Sequence, residues 1–325
     1  MAVITYREAL RQALAEEMER DPSVFLVGEE IGRYQGTFRV TEGLLQRFGE
    51  RRVVDTPISE SGIAGMAIGA AMIGLRPVAE FMTFSFALIA ADQIVNHAAK
   101  ILYMFGGQIR VPVVFRGPAG GGAQLSAQHS HSLESWYAHI PGLKVVTPAT
   151  PADAKGLLKT AIRDDNPVIF MEHAKLYSTR GEVPEGEYTV PFGLAEVKRE
   201  GRDVTLIAYS QPLLLALHAA EKLAETEGIE CAVIDLRSLQ PLDMDTVLRS
   251  VSKTHRAVVV HEDHRNVGFG AEIAARIQEF AFDELDAPVL RVASADVPIP
   301  YARNLERAAF PSEEDIIRAV KRVLA

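Results

Sequence analysis

Residues 53–86 read VVDTPISESGIAGMAIGAAMIGLRPVAEFMTFSF. The turn Thr56-Pro57 leads to a single acid, Glu60. From Ile63 to Leu75 the chain is apolar or glycine for 13 residues. A membrane-spanning helix needs about 20 such residues, so this run predicts a fully buried helix instead. Arg76-Pro77 end it, and Arg76–Glu80 reads as a strand. Gly65 and Gly69 are four apart and share one helix face, where the lack of side chains lets another backbone come close. Glu60 has two readings. In the plain one, Ser59 is the N-cap, Glu60 a first-turn charge on the helix dipole, and the glycines serve packing. In the other, Glu60 is a carboxyl placed in an apolar pocket for acid–base work.

Working outward, strand-like and helix-like segments alternate. Val24–Val27 is an apolar strand ending in Gly28, and the N-terminal residues before it read as a short strand and an amphipathic helix. Val111–Arg116 is a strand followed by the glycine-rich stretch Gly117 to Gly122. Leu143–Val146 is another, leading into Thr147-Pro148-Ala149-Thr150-Pro151-Ala152-Asp153. There Thr150 is the expected N-cap, Pro151 the first helical residue and Asp153 a first-turn carboxylate. The helix runs to Ile162, and Val168–Met171 is the next strand. Ser178 to Pro191 (STRGEVPEGEYTVP) is rich in proline, glycine and charge and reads as a linker. Beyond it the alternation restarts, with strands at Val204–Ala208, Glu230–Asp235, Ala257–His261 and Val289–Val292. Helices fall at Pro212–Glu227, Leu242–Ser250, Ala271–Phe280 and Ser312–Leu324. The pattern predicts two doubly wound α/β domains, residues 1–190 and 191–325, each a parallel sheet covered on both faces.

Bulk properties restrict the function. A formal charge of −9 argues against a nucleic-acid surface, which needs clustered Lys and Arg. The one cysteine, Cys231, cannot form an internal disulfide and suits a reducing compartment, the cytoplasm. The N-terminus lacks the apolar stretch of a signal peptide, and no membrane association is expected.

The segments DTPISESGIAGMAIGAAMIGLRPVAEFMTFSF, DQIVNHAAK, VPVVFRGP, AQHSHS, HIPGLKVVTP and DAKGLLKTAIRDDNPV resemble the beta chains of thiamin-diphosphate-dependent 2-oxoacid dehydrogenases. The similarity extends from TYREAL to the final helix and is nearest to the pyruvate dehydrogenase decarboxylating component, with the branched-chain and acetoin enzymes as close relatives. It implies a thiamin pyrimidine-binding domain followed by a transketolase C-terminal-type domain. It also implies an α2β2 heterotetramer with an alpha subunit, docking to a dihydrolipoamide acyltransferase core, and an oxidoreductase activity. That activity decarboxylates a 2-oxoacid, foremost pyruvate, and passes the acyl group to a lipoyl group.

The resemblance implies roles residue by residue. Glu60 hydrogen-bonds N1′ of the cofactor's aminopyrimidine, Phe86 stacks on that ring, and His129 acts catalytically on substrate and lipoyl group. His131 stands where relatives often carry Gln and receives no role. A structural potassium ion is implied at Val113, Ala161, Ile162, Asp164 and Asn166. The family holds the diphosphate through Mg²⁺ on a Gly-Asp-Gly motif, and no Gly-Asp-Gly occurs in this sequence. Diphosphate is too highly charged to hold without a cation or helix termini, so the Mg²⁺ half of the site is expected on the alpha subunit.

Three other readings suit the residues less well. A non-catalytic assembly subunit has no use for the set Glu60, Phe86 and His129. A nicotinamide reductase lacks its fingerprint, since Gly268-Phe269-Gly270 has no third glycine at the required spacing. His261-Glu262-Asp263-His264 is one residue short of a His-Glu-x-x-His zinc motif, and His129-Ser130-His131 has no obvious third ligand.

Overall fold

The computed structural model describes residues 1–325, which form two compact units. One comprises Met1–Ala119 with Trp136–Phe192, the other Gly120–Ser135 with Gly193–Ala325.

In the first unit the strands lie in the order Lys144–Val146, Val168–His173, Val114–Ala119, Arg76–Glu80, Val24–Gly28, Val53–Asp55, every neighbouring pair parallel. Strands buried on both faces need continuous apolar runs, and VFLVG and the first four residues of VIFMEH supply them. From Val24–Gly28 the chain moves to the edge strand Val53–Asp55, then crosses back to Arg76–Glu80 on the opposite side. The carboxyl end of Val24–Gly28 is therefore a topological switch point, where open α/β sheets leave a crevice for ligands.

Helices cover this sheet where the sequence signals them. Thr5 and Glu8 close a reciprocal capping box on Tyr6–Arg20. Thr150 caps Pro151–Arg163 by accepting the Asp153 N–H at 3.1 Å.

Two expectations need correction. The helix over the apolar run spans Glu60–Met72 and is not fully buried. Ile63, Ala64, Ala67, Ile68 and Ala71 face inward, whereas Met66 and Met72 on it and Ile73 just beyond it are exposed. No backbone of this chain approaches Gly65 or Gly69: a Cβ at Gly69 would meet nothing within 4 Å. Composition reported apolarity all round but could not say which side lacks a cover. The stretch read as a linker also holds a strand, Arg180–Val183, antiparallel to Ala2–Thr5.

In the second unit the order is Leu290–Ser294, Ala257–His264, Val204–Ala208, Cys231–Asp235, Glu196–Arg199. The first four are parallel and the polar edge strand is antiparallel. His261 to His264 lie on a strand, so neighbouring side chains alternate faces and present no helical zinc pair. Gly268 and Gly270 make room for the fully buried His261: a Cβ on Gly270 would sit 2.4 Å from its ring. Burial first, then Arg291 and Arg265, holds this histidine down to about 3. No helix is long and apolar enough to cross a membrane.

Candidate functional site

Strand Val24–Gly28 delivers Glu29 to the switch point. Gly28 is required by the close approach of the next strand, because a Cβ there would lie 2.6 Å from the Glu80 carbonyl oxygen. The chain after Glu29 is pinned by Asp55, whose carboxylate accepts the Gly32 N–H at 2.5 Å and the Arg33 N–H at 2.9 Å. Thr56 N–H donates to the Gly28 carbonyl at 3.0 Å. The helix then opens at Glu60, and Ser59 makes no side-chain capping bond. Ser59 therefore occupies the N-cap position and Glu60 the first turn, as in the plain reading, but without the side-chain bond that makes a cap.

Glu60 is 5% exposed and Glu29 6%. Burial first, and the negative charge of Glu60 second, push the Glu29 carboxyl above the usual carboxylate range, while the Ser59 backbone N–H pulls it down. Glu29 Oε1 is buried without a partner. Two carboxyls are thus close enough to repel, in a place water does not reach. The orphaned oxygen and the water-poor surroundings fit a proton-accepting heterocycle. Glu29 was missed in the sequence, although an acid directly after an apolar strand at a switch point is a legible signal.

The three aromatics of FMTFSF separate cleanly. Phe81 and Phe84 are fully buried, edge to face at 5.8 Å, with Phe81 stacked on Phe115 and Phe84 edge-on to Tyr137. Phe86 is only half-buried. Its helical turn, Phe84–Ala90, packs against the helix that begins with Glu60.

Behind the crevice lies a buried charge network on the central strands. Arg116 donates to both Glu172 oxygens, at 2.6 and 2.7 Å, and also to Glu80. Tyr177 donates to Glu172 at 2.7 Å and stacks on Phe38 at 4.9 Å, tying the loop after Glu29 to the network. Burial raises the Glu80 carboxyl, Arg116 opposes that shift, and Glu172 reinforces it.

His129 ends the short helical turn Ala127–His129, inside the segment that folds with the second unit. It is half-buried. Burial, then the charges of His264 and His129, hold His131 below the ordinary histidine value. No group of three His, Cys, Asp or Glu side chains is disposed to hold a metal ion. The structure thus sets Glu60 and Phe86 on adjoining elements of one unit and His129 in the other.

The positions expected to bind potassium gather at the C-terminus of helix Pro151–Arg163. The carbonyls of Ile162 and Asp164 both accept from Arg76 Nη1 at 3.0 Å. The Ala161 carbonyl accepts the Asp164 N–H, and the Val113 carbonyl accepts Val168 N–H at 2.9 Å. The Asp164 carboxylate holds Asn166 through its N–H and side-chain amide, both at 2.8 Å, and pairs with Lys144. The Ile162 and Asp164 carbonyls are thus taken up by the Arg76 guanidinium, and Lys144 places a second positive charge beside Asp164.

Residues 2–179 match the family described as transketolase, pyrimidine binding domain, and residues 193–316 match transketolase, C-terminal domain. The chain is 55% identical to the pyruvate dehydrogenase E1 component subunit beta of Rhizobium meliloti (strain 1021), over 99% of this chain and 70% of that one. It is 54% identical to subunit beta-2, mitochondrial, of Oryza sativa subsp. japonica, over 98% of this chain and 86% of that one. Among solved structures, a split-gene transketolase described as an inactive beta4 tetramer superposes with a TM-score of 0.82 at 25% identity, covering 99% of this chain and 98% of that one.

Proposed function

Because the chain belongs to the family of pyruvate dehydrogenase E1 beta subunits, an oxidoreductase component, we propose that it supplies the pyrimidine-binding half of a thiamin diphosphate site completed by an alpha subunit. The observation that carries this reading is the buried carboxyl pair Glu29–Glu60 at the switch point of the first unit. When bound, thiamin diphosphate supplies a carbanion and an electron sink for decarboxylating a 2-oxoacid, here pyruvate.

In this reading Glu60 holds the proton shared with N1′ of the pyrimidine ring. Its carboxyl is kept from bulk water, so the proton passes to the ring rather than to solvent. Glu29 sets the local field, and the half-open Phe86 offers a ring face for stacking. The diphosphate and its Mg²⁺ are assigned to the alpha subunit in an α2β2 assembly, since Gly-Asp-Gly is absent here. His129 assists transfer of the acyl group to a lipoyl group carried by the acyltransferase core. Potassium, implied by the family resemblance at Val113, Ala161, Ile162, Asp164 and Asn166, would have to displace Arg76 from the Ile162 and Asp164 carbonyls. Residues 1–190 would carry the pyrimidine site and 191–325 the assembly functions. The cytoplasm suits the single, fully buried thiol.

The test is Glu60→Gln in the assembled enzyme. Positioned acid–base groups contribute about 10²–10⁴ in rate, and turnover should fall by that order with assembly unchanged in gel filtration. Turnover within a few-fold of the parent would remove Glu60 from the chemistry.

A further inference from the structure

The segment Gly120–Ser135, which carries His129, has little regular structure of its own. Its backbone passes through left-handed conformations at Gly120, Gly122, Gln124 and Ser126, with φ of 75°, 84°, 57° and 68°. Glycine adopts this region freely; Gln124 and Ser126 do so only when their surroundings hold them there. Two internal backbone bonds, Gly120 N–H to the His131 carbonyl at 2.9 Å and His129 N–H to the Ser126 carbonyl at 3.3 Å, close the loop.

The remaining fixation comes from acids of the second unit. Glu262, on strand Ala257–His264, accepts the Gly121 N–H at 2.7 Å, with Ser132 Oγ 3.5 Å away. Glu306 Oε1 accepts two N–H groups, Gly122 at 3.1 Å and Gln124 at 2.8 Å. Asp263 accepts from the Ser135 side chain. The Phe310 ring packs beneath Gly121, where a Cβ would come within 2.2 Å of it. Glu262 and Glu306 are 5% and 2% exposed.

Burying a carboxylate is costly unless its lone pairs are taken up. Here they are taken up by backbone N–H groups of the His129 segment, and charge-assisted bonds of this kind are about twice as strong as neutral ones. The dependence is mutual: the segment loses its hold without the acids, and the acids lose their donors without the segment. A unit needing only to fold would be served by apolar residues at these positions.

We propose that the C-terminal unit positions His129 for acyl transfer, through Glu306 and Glu262 acting as positioning residues on the backbone of Gly121–Gln124. This rests on the reading of His129 given above. In that transfer pyruvate loses CO₂, and its two-carbon remainder gives two electrons to the lipoyl disulfide. The S–S bond breaks, one sulfur forms the acetyl thioester and the other takes up one proton to become a thiol. A donor for that proton has to be aimed. Misplacement by about 1 Å can cost on the order of 10² in rate.

The experiment uses the assembled α2β2 enzyme with Glu306→Gln, Glu306→Asp, Glu262→Gln and His129→Ala. Each is assayed for decarboxylation with an artificial dye acceptor and for reductive acetylation of a free lipoyl domain, with hydrogen exchange followed over residues 120–132. Glu306→Gln should slow lipoyl acetylation about tenfold or more, leave dye-linked turnover within about twofold, and speed exchange at Gly122 and Gln124. Glu306→Asp should recover part of the rate. Should Glu306→Gln fail to assemble, Glu262→Gln, which turns the charge-assisted bonds from Gly121 and Ser132 into neutral ones, takes its place with the same expectation. Normal lipoyl acetylation in His129→Ala would overturn the reading of His129 itself. Impaired His129→Ala beside a normal Glu306→Gln would overturn the positioning role alone, as would equal loss of both activities without a change in exchange.

Discussion

Arg116 offers the sharpest test of how the first unit is held together. It is 1% exposed and is the sole counter-charge to the buried acids Glu172 and Glu80, which are 1% and 9% exposed. Arg116→Met removes a bidentate bond to Glu172 and the contact to Glu80, leaving two carboxyls without compensation. Removing one partner of a buried pair costs about 3–5 kcal/mol. A unit of 150–250 residues shifts by roughly 2–4 °C per kcal/mol, so the apparent Tm should fall by about 6–20 °C. The loss should depend on pH with a definite sign. Burial already raises the Glu80 carboxyl, and losing Arg116 removes the charge that opposes that shift. The stability this group allows is therefore full below about pH 4, the ordinary carboxylate range, and is lost as pH rises through its folded value. Scanning calorimetry near pH 5 and near pH 8 should show the larger deficit at pH 8. The triple variant Glu80→Met, Arg116→Met, Glu172→Gln should recover most of the loss, because neutral groups of similar volume carry no desolvation penalty. A deficit under about 2 °C at pH 8, or one larger at pH 5, would refute the reasoning.

The same logic reaches Glu29 with a smaller effect. Its raised carboxyl weakens the fold as pH rises through its folded value, so Glu29→Gln should gain stability relative to the parent between about pH 5 and pH 8; a relative loss over that window would reverse the sign of the coupling to Glu60. Cys231 is fully buried and burial pushes its thiol up to about 12, so a thiol-specific disulfide reagent at pH 8 should label it only after denaturation, and rapid labelling of the native protein would contradict its placement in strand Cys231–Asp235.

What was legible in the sequence was whatever is encoded locally. Thr150-Pro151-Ala152-Asp153 announces a helix start because a hydroxyl, a fixed φ and a first-turn carboxylate each satisfy a local demand, and that helix begins at Pro151. The strands VTLIA and CAVID are apolar but for Thr205 and the terminal Asp235 because both faces are covered. What escaped was non-local. Arg180–Val183 sits among glycines, prolines and charges and becomes a strand only because Ala2–Thr5, nearly the whole first unit away in sequence, lies beside it. Val53–Asp55 is three residues long, too short for any periodicity to register.

The candidate site divides along the same line. Glu60, Phe86 and His129 came from motif resemblance, and physics alone left Glu60 divided between a capping acid and a chemical one. The structure weighs on that division through two facts no local pattern holds: Ser59 makes no side-chain cap, and a second acid, Glu29, is folded against Glu60 from the end of a different strand. A helix-capping carboxylate gains from being solvated and alone, where the dipole stabilises its charge. Burial beside Glu60 makes the Glu29 carboxyl costly to ionise, an arrangement suited to keeping a proton close to a ligand rather than surrendering it to water. The pairing of Glu29 with Glu60, and not Glu60 alone, is therefore the physical content of the motif.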